Sequence, residues 1–255
     1  MNESNNSLIH PNPWQNLKKF TQARIALGRC GASLPTNELL DFKLSHAQAK
    51  DAVLLPLDYR FIQSEIQKIT STEVVLLESA VANRQDYLKR PDLGGILNEK
   101  SKNALQSYCQ SMTYDISLVI SEGLSANAIN ENIVPFLQLL LPELQAYHLA
   151  PICAVEQGRV AIGDAIADIL KPTLTVVLIG ERPGLQSHNS LGIYLTYQAK
   201  GGTTNDKRNC ISNIRPAGLS YEEAVSKLLY LIKKAFSHQI SGVQLKDEQE
   251  GLVIE

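Results

Sequence analysis

The sequence predicts an α/β protein: a Rossmann-like, mostly parallel sheet with helices on both faces, preceded by a helical N-terminal region. Three observations predict it. Short aliphatic and β-branched runs recur at 74–77, 116–120, 152–155, 174–179 and 193–197. Most of these runs do not alternate polar with apolar residues, so the strands they form are buried on both faces, as in a parallel sheet covered by helices. Before residue 74 the apolar spacing is helical instead. The expected organisation is a flexible tail over 1–25, a mainly helical region over 26–110, the sheet domain over 111–242 and an acidic tail over 243–255.

Residues 1–11 are polar and rich in Asn and Ser, a loose start. Asn12-Pro13 has the form of a helix start, with Asn as cap and Pro in the first turn. The small-residue stretch 26–35 reads as a loop. Thr36 is expected to cap a helix running to about Ala52, with Leu40, Leu44 and Ala47 on one face. Phe61, Ile62, Ile66 and Ile69 mark a second amphipathic helix. Strands then alternate with helices that begin near Ser125 and Val160. The segment 200–207, rich in Gly and Lys, reads as an exposed loop. Ser220-Tyr221-Glu222-Glu223 is a capping box, in which hydroxyl and carboxylate each satisfy the other residue's free backbone N–H. It opens a helix with Val225, Leu228, Leu229, Ile232 and Phe236 on one face.

Composition narrows the function. The chain has 255 residues, 44% hydrophobic and 20% charged, with a net charge of -2. That is ample for a buried core without metal or disulfide staples. With a pI near 6.2 and no long basic run, it is expected to bind neither nucleic acid nor an anionic membrane surface. The most apolar stretch, 133–144, is interrupted by Pro135, Gln138, Pro142 and Glu143 and is shorter than the about 20 residues a span needs. Cys30, Cys109, Cys153 and Cys210 are too far apart for a metal framework and fit a reducing compartment. With no apolar run of leader length near the start, a cytoplasmic protein is expected.

Three strands end in an acid beside a glycine: Glu122-Gly123, Glu156-Gln157-Gly158 and Gly180-Glu181. In an open parallel sheet these ends form the ligand crevice. Glycine lets a ligand approach the backbone, and a carboxylate accepts N–H donors. The alternative for each is an ordinary turn with a solvated acid. Gly158 to Gly163 has the glycine spacing of a phosphate loop, but Asp164 stands where the lysine belongs and would repel a triphosphate. No G-x-G-x-x-G occurs. Ser125 lacks the final glycine of a nucleophile elbow and reads as a helix cap. His10, His46, His148, His188 and His238 have no ligand spacing, and none has an Asp two residues earlier, as D-x-H-x-x-G requires. Two polar strips remain, Gly180-Glu181-Arg182-Pro183-Gly184 and Arg208-Asn209-Cys210-Ile211-Ser212-Asn213-Ile214-Arg215-Pro216. Either could face a polar ligand or cap neighbouring backbone, and chemistry alone leaves both readings standing.

At these residues the sequence resembles the small (light) subunits of ethanolamine ammonia-lyase. The resemblance is carried by 178–185 (LIGERPGL), 190–196 (SLGIYLT) and 208–216 (RNCISNIRP), and extends to 24–35 (RIALGRCGASLP), 87–94 (YLKRPDLG) and 158–164 (GRVAIGD). It implies part of a carbon–nitrogen lyase that converts ethanolamine to acetaldehyde and ammonia by adenosylcobalamin-dependent radical chemistry. A large barrel subunit would hold the substrate and the catalytic groups, and this chain would close over the cofactor at the interface. Cofactor contacts carry over to Val160, Glu181 and Cys210, with no catalytic residue and no metal ligand in this chain. Without D-x-H-x-x-G, the cofactor's own benzimidazole is expected to stay on cobalt. A hetero-oligomer of several heterodimers, inside a bacterial microcompartment, is also implied. The alternative is a non-catalytic scaffold or recruitment subunit, with the N-terminal stretch around Trp14, Leu17 and Phe20 as an address for the shell.

Overall fold

The computed structural model describes residues 8–109 and 113–248; of the tails expected at 1–25 and 243–255, residues 1–7 and 249–255 lie outside the described residues. The first described element is β1 (Ile9–His10), paired antiparallel to β2 (Arg29–Cys30). Between them, the expected helix at Asn12-Pro13 is only a 3-10 turn over Gln15–Lys19. Asn12 caps locally instead, its side-chain oxygen accepting from the Trp14 N–H at 2.9 Å. Trp14 and Phe20 are exposed and no residue of the turn is buried, so this segment lacks the buried face that would extend a helix.

Helix α1 (Thr36–Leu54) starts behind Pro35, with no side-chain cap from Thr36. Its expected apolar face points outward: Leu40 is 58% exposed and Leu44 60%, whereas Ala52 is buried. In α2 (Tyr59–Gln67), Asp58 accepts from the Phe61 N–H, and Ile62 and Ile66 are buried.

Among the described residues the main sheet has six strands. After β3 (Val74–Glu78) come two short helices, α3 (Arg84–Lys89) and α4 (Glu99–Gln106), capped by Asn83 and Asn98. Next are β4 (Ile116–Ser121), α5 (Ala126–Glu143), β5 (Ile152–Glu156), α6 (Ile162–Leu170) and β6 (Leu174–Gly180). The chain finishes with β7 (Leu191–Tyr197), β8 (Arg208–Ile214) and α7 (Tyr221–His238), the last opened by the Ser220–Glu223 capping box. Spatial order is β3-β5-β4-β6-β7-β8. The first four strands are parallel, and β7 and β8 are each antiparallel to the strand before them. The fold is therefore α/β with a mostly parallel sheet, as the apolar runs require.

Two features differ from the sequence reading. The edge strand β3 is the run expected at 74–77 but falls within the region read as mainly helical, and most of the polar strip 208–216 is itself a strand. The link from β6 to β7 spans residues 181–190, too short for the dozen or more residues of a parallel crossover, so the chain turns back antiparallel. As an edge strand, β8 keeps Cys210, Ser212 and Asn213 exposed, which hid it from an apolar-run search.

Both faces are packed. Phe136, Leu140, Leu228 and Ile232 from α5 and α7 meet Leu118, Leu178 and Leu195 on one side. Leu105, Ile162 and Ile166 from α4 and α6 meet Val119, Val155 and Val177 on the other. Strands β4 and β6 are buried at every residue. On the α6 side the cover thins toward β7 and β8, leaving Tyr194 half-buried and Cys210 exposed.

Candidate functional site

The parallel strands β5, β4 and β6 form a topological switch point: from β4 the chain moves to one neighbour, β5, and then crosses to the other, β6. Loops leaving such strands diverge and open a crevice at their carboxyl ends. A cleft of about 440 Å³ lies there, lined by Tyr87, Gly123, Leu124, Arg159, Val160, Ile179, Gly180, Glu181, Arg182 and Tyr194.

Glycines bring the β4 and β6 loops together. A Cβ on Gly180 would sit 2.2 Å from the Ser125 carbonyl oxygen and 2.3 Å from that of Glu122. Gly123 has φ +54, and a Cβ there would meet the Gly180 carbonyl oxygen at 2.3 Å. The Leu124 N–H donates to that same oxygen at 3.0 Å. Ser125 caps α5, its hydroxyl oxygen accepting from the Ala128 N–H, as its place in the sequence predicts.

The three strand-end acids have different fates. Glu156 is exposed. Glu122 is buried behind the cleft, where it accepts from the Tyr59 hydroxyl, from Ser121 Oγ at 3.1 Å and from the Gln157 N–H at 3.0 Å. Arg84 Nη1 lies 3.6 Å from it. Burial is the main cause that raises the Glu122 carboxyl above its ordinary range, while Tyr59 and Arg84 pull it down. Burial likewise raises the Tyr59 phenol, with the Glu122 charge adding to the shift. By holding the N–H of Gln157, a non-glycine at φ 55, Glu122 fixes the turn that carries Arg159 and Val160.

Glu181 lines the cleft but is already engaged. It accepts from Ser190 Oγ at 2.5 Å, Ser212 Oγ at 2.5 Å and the Asn213 N–H at 3.1 Å, tying the end of β6 to β7 and β8. Gly192 makes room, since a Cβ there would lie 3.0 Å from the carboxylate. The carboxylate thus lines the crevice and at the same time bonds its neighbours in the chain.

The structure brings Val160 and Glu181 into one cleft. Cys210 is not among its lining residues, but it pairs in register with Tyr194, which is. Loss of water around the Cys210 thiol raises its pKa, the nearby Glu181 charge adds to this, and Tyr194 works the other way. The group is thus a neutral thiol at physiological pH. Site-resolved iodoacetamide labelling at pH 7.5 should modify Cys210 several-fold more slowly than a free thiol and accelerate only in alkali; a fast reaction at neutral pH would contradict this assignment.

The segment 158–164 is not a phosphate loop. A Cβ on Gly163 would meet Val177 Cγ2 at 2.6 Å, so that glycine packs α6 onto β6. Asp164 pairs with Arg208 inside the protein, at 2.6 Å. Sequence reasoning missed Tyr87, Arg159 and Tyr194 at the cleft. Tyr87 and Arg159 stand in the motif segments 87–94 and 158–164, but nothing in their spacing shows that the two segments meet.

A mostly parallel sheet with an open cleft at its switch point defines an α/β protein of the doubly wound kind. Comparison with known proteins places it further. The family model of the ethanolamine ammonia-lyase light chain (EutC) matches residues 11–246, so the chain belongs to that family of lyase subunits. It is 48% identical over 254 residues to the ethanolamine ammonia-lyase small subunit of Pseudomonas syringae pv. tomato, covering 98% of this chain and 88% of that one. To the small subunit of Azotobacter vinelandii it is 47% identical over 251 residues, covering 97% and 93%. Among the described residues no helix is long and apolar enough to cross a membrane, and no group of three His, Cys, Asp or Glu side chains is arranged to hold a metal ion.

Proposed function

We propose that this chain holds one side of adenosylcobalamin against a large catalytic subunit, which carries out the conversion of ethanolamine to acetaldehyde and ammonia. The observation that carries this reading is the convergence of Val160 and Glu181 on an open cleft at the switch point, next to Tyr194 and Cys210. The donor set fits a corrinoid rim, whose amide side chains both donate and accept hydrogen bonds. Arg159, which lines this cleft, has its Nε buried without a protein partner. A cleft of about 440 Å³ holds an edge of so large a cofactor, not the whole, so a second chain must cover the rest. When bound, the cofactor supplies a cobalt–carbon bond whose homolysis starts the radical chemistry.

The residues of this chain act as grip and seal. Glu181 holds the ends of β6, β7 and β8 at fixed spacing and presents carboxylate oxygens to amide N–H groups. The Val160 loop offers backbone groups without charge, and Cys210 and Tyr194 offer a neutral surface. The partner is the large subunit, in a complex of several heterodimers set in a microcompartment. A recruitment role has its own support in the exposed Leu8, Trp14 and Phe20. Deleting residues 1–25 separates the two roles: lost packaging with intact turnover marks an address, and lost turnover marks a part in assembly.

The test is co-expression with a large subunit and an adenosylcobalamin-dependent acetaldehyde assay. The small chain alone should be inactive, and the complex active. In the complex, Glu181→Ala should raise the cofactor concentration for half-activity by about tenfold, because it removes an acceptor shared by three donors. Turnover by the small chain alone, or an unchanged cofactor requirement in the variant, would refute the assignment.

A further inference from the structure

Arg159 has more hydrogen-bonding capacity than the protein around it uses. A guanidinium carries five N–H donors. Among the described residues, its side chain donates from Nη2 to the Tyr87 carbonyl oxygen at 3.1 Å, Nε is buried without an acceptor, and no carboxylate pairs with it. Such a group is costly to keep unless something meets it.

The surroundings are built to hold it still. Its guanidinium lies 4.1 Å from the centre of the Tyr87 ring, and the Tyr87 hydroxyl donates to the Gly158 carbonyl oxygen at 3.0 Å. The Arg159 N–H donates to the Gly94 carbonyl oxygen at 2.7 Å. Gly94 also cradles the stem, since a Cβ there would lie 2.6 Å from Arg159 Cγ. Segment 87–94 thus serves Arg159 at both ends, its first residue supporting the guanidinium and its last leaving room for the stem. Arg84 also lies over the Tyr87 ring, at 4.5 Å, but its charge is answered by Glu122, whereas Arg159 opens onto the cleft beside Val160.

We infer that Arg159 is a binding residue of this cleft, a fixed guanidinium that donates to an acceptor oxygen of the corrinoid, with Tyr87 and Gly94 as its positioning residues. This rests on the function proposed above and extends its contact set. The oxygen belongs either to an amide carbonyl on the corrin rim or to the phosphodiester of the nucleotide tail, and both suit a planar donor fork.

The test uses the co-expressed complex and equilibrium dialysis with hydroxocobalamin and with dicyanocobinamide, which lacks the nucleotide tail. Arg159→Ala should weaken hydroxocobalamin binding about ten- to hundredfold. An equal loss for the cobinamide assigns the contact to an amide carbonyl. A loss confined to cobalamin, and shrinking with added salt, assigns it to the phosphodiester. Gly94→Ala should weaken binding by displacing Arg159, so the double variant should bind no worse than Arg159→Ala alone; a purely structural role would make the losses add. Arg159→Lys, which keeps charge and stem but not the fork, replaces the alanine variant where that complex fails to assemble. If the native complex binds cobalamin and neither Arg159 variant binds it more weakly, this inference fails and the proposed function stands. If the native complex binds no corrinoid, both fall together.

Discussion

Replacing Asp164 by alanine is expected to destabilise the folded chain by about 3–5 kcal/mol, lowering its melting temperature by about 10 °C or more. Asp164 and Arg208 are buried, with side chains 6% and 4% exposed. Their contact is bidentate, at 2.9 and 2.6 Å, and Arg208 also donates to Thr196 Oγ1 and the Thr203 carbonyl oxygen. Losing the aspartate strands a guanidinium in an apolar interior between α6 and β8. Removing both charges avoids that penalty, so Asp164→Leu with Arg208→Met should recover most of the loss, because the desolvation cost of the pair disappears with it. Thermal unfolding followed by circular dichroism decides the matter. An alanine variant that melts within about 2 °C of the native chain would show that the pair contributes little.

Gly180→Ala should have an effect of similar size by a different route. The added methyl would meet two backbone oxygens, of Ser125 and Glu122, at 2.2 and 2.3 Å. Neither can rotate away as a side chain would, so the end of β6 must separate from the start of α5. The cost is expected at or above the about 3 kcal/mol usual for overpacking. The same separation breaks the Leu124 N–H bond to the Gly180 carbonyl oxygen and shifts Glu181, so, on the function proposed above, cofactor affinity in the complex should fall together with stability. An alanine variant with native melting temperature and native cobalamin binding would show that the two loops are not locked together.

Much of the architecture was legible in the residues. Strands β4, β5 and β6 are continuous apolar runs because both faces of a central parallel strand are buried, and burial leaves a mark in every residue. The capping boundaries at Ser125 and Ser220 were equally readable, since a helix start imposes a local donor–acceptor pattern. The helix expected from Asn12 failed because local capping signals do not supply the buried face that sustains a helix. Leu40 and Leu44 misled in the same way: their spacing shows a helix, but not what covers it. Strand β8 was hidden because an exposed edge tolerates Cys210, Ser212 and Asn213, residues that otherwise read as loop.

The candidate site divides along the same line. Sequence alone placed Glu181 at a strand end and Val160 at a helix start and, through long ordered motifs, pointed to the family that the comparisons then established. It could not separate the three acids, because whether a carboxylate is buried, solvated or in a cleft depends on partners distant in the chain. Glu122 meets Tyr59 and Arg84, and Glu181 meets Ser212 and Asn213, only once the strands are ordered in space. Arg159 shows the same dependence, since its neighbours Tyr87 and Gly94 come from a segment more than sixty residues earlier. Local pattern determined which segments form strands and helices, because backbone hydrogen bonding and burial act over neighbouring residues. Which side chains share a cleft was decided by the tertiary arrangement of strands, helices and the loops between them, because that arrangement sets the distances over which charges and donors act.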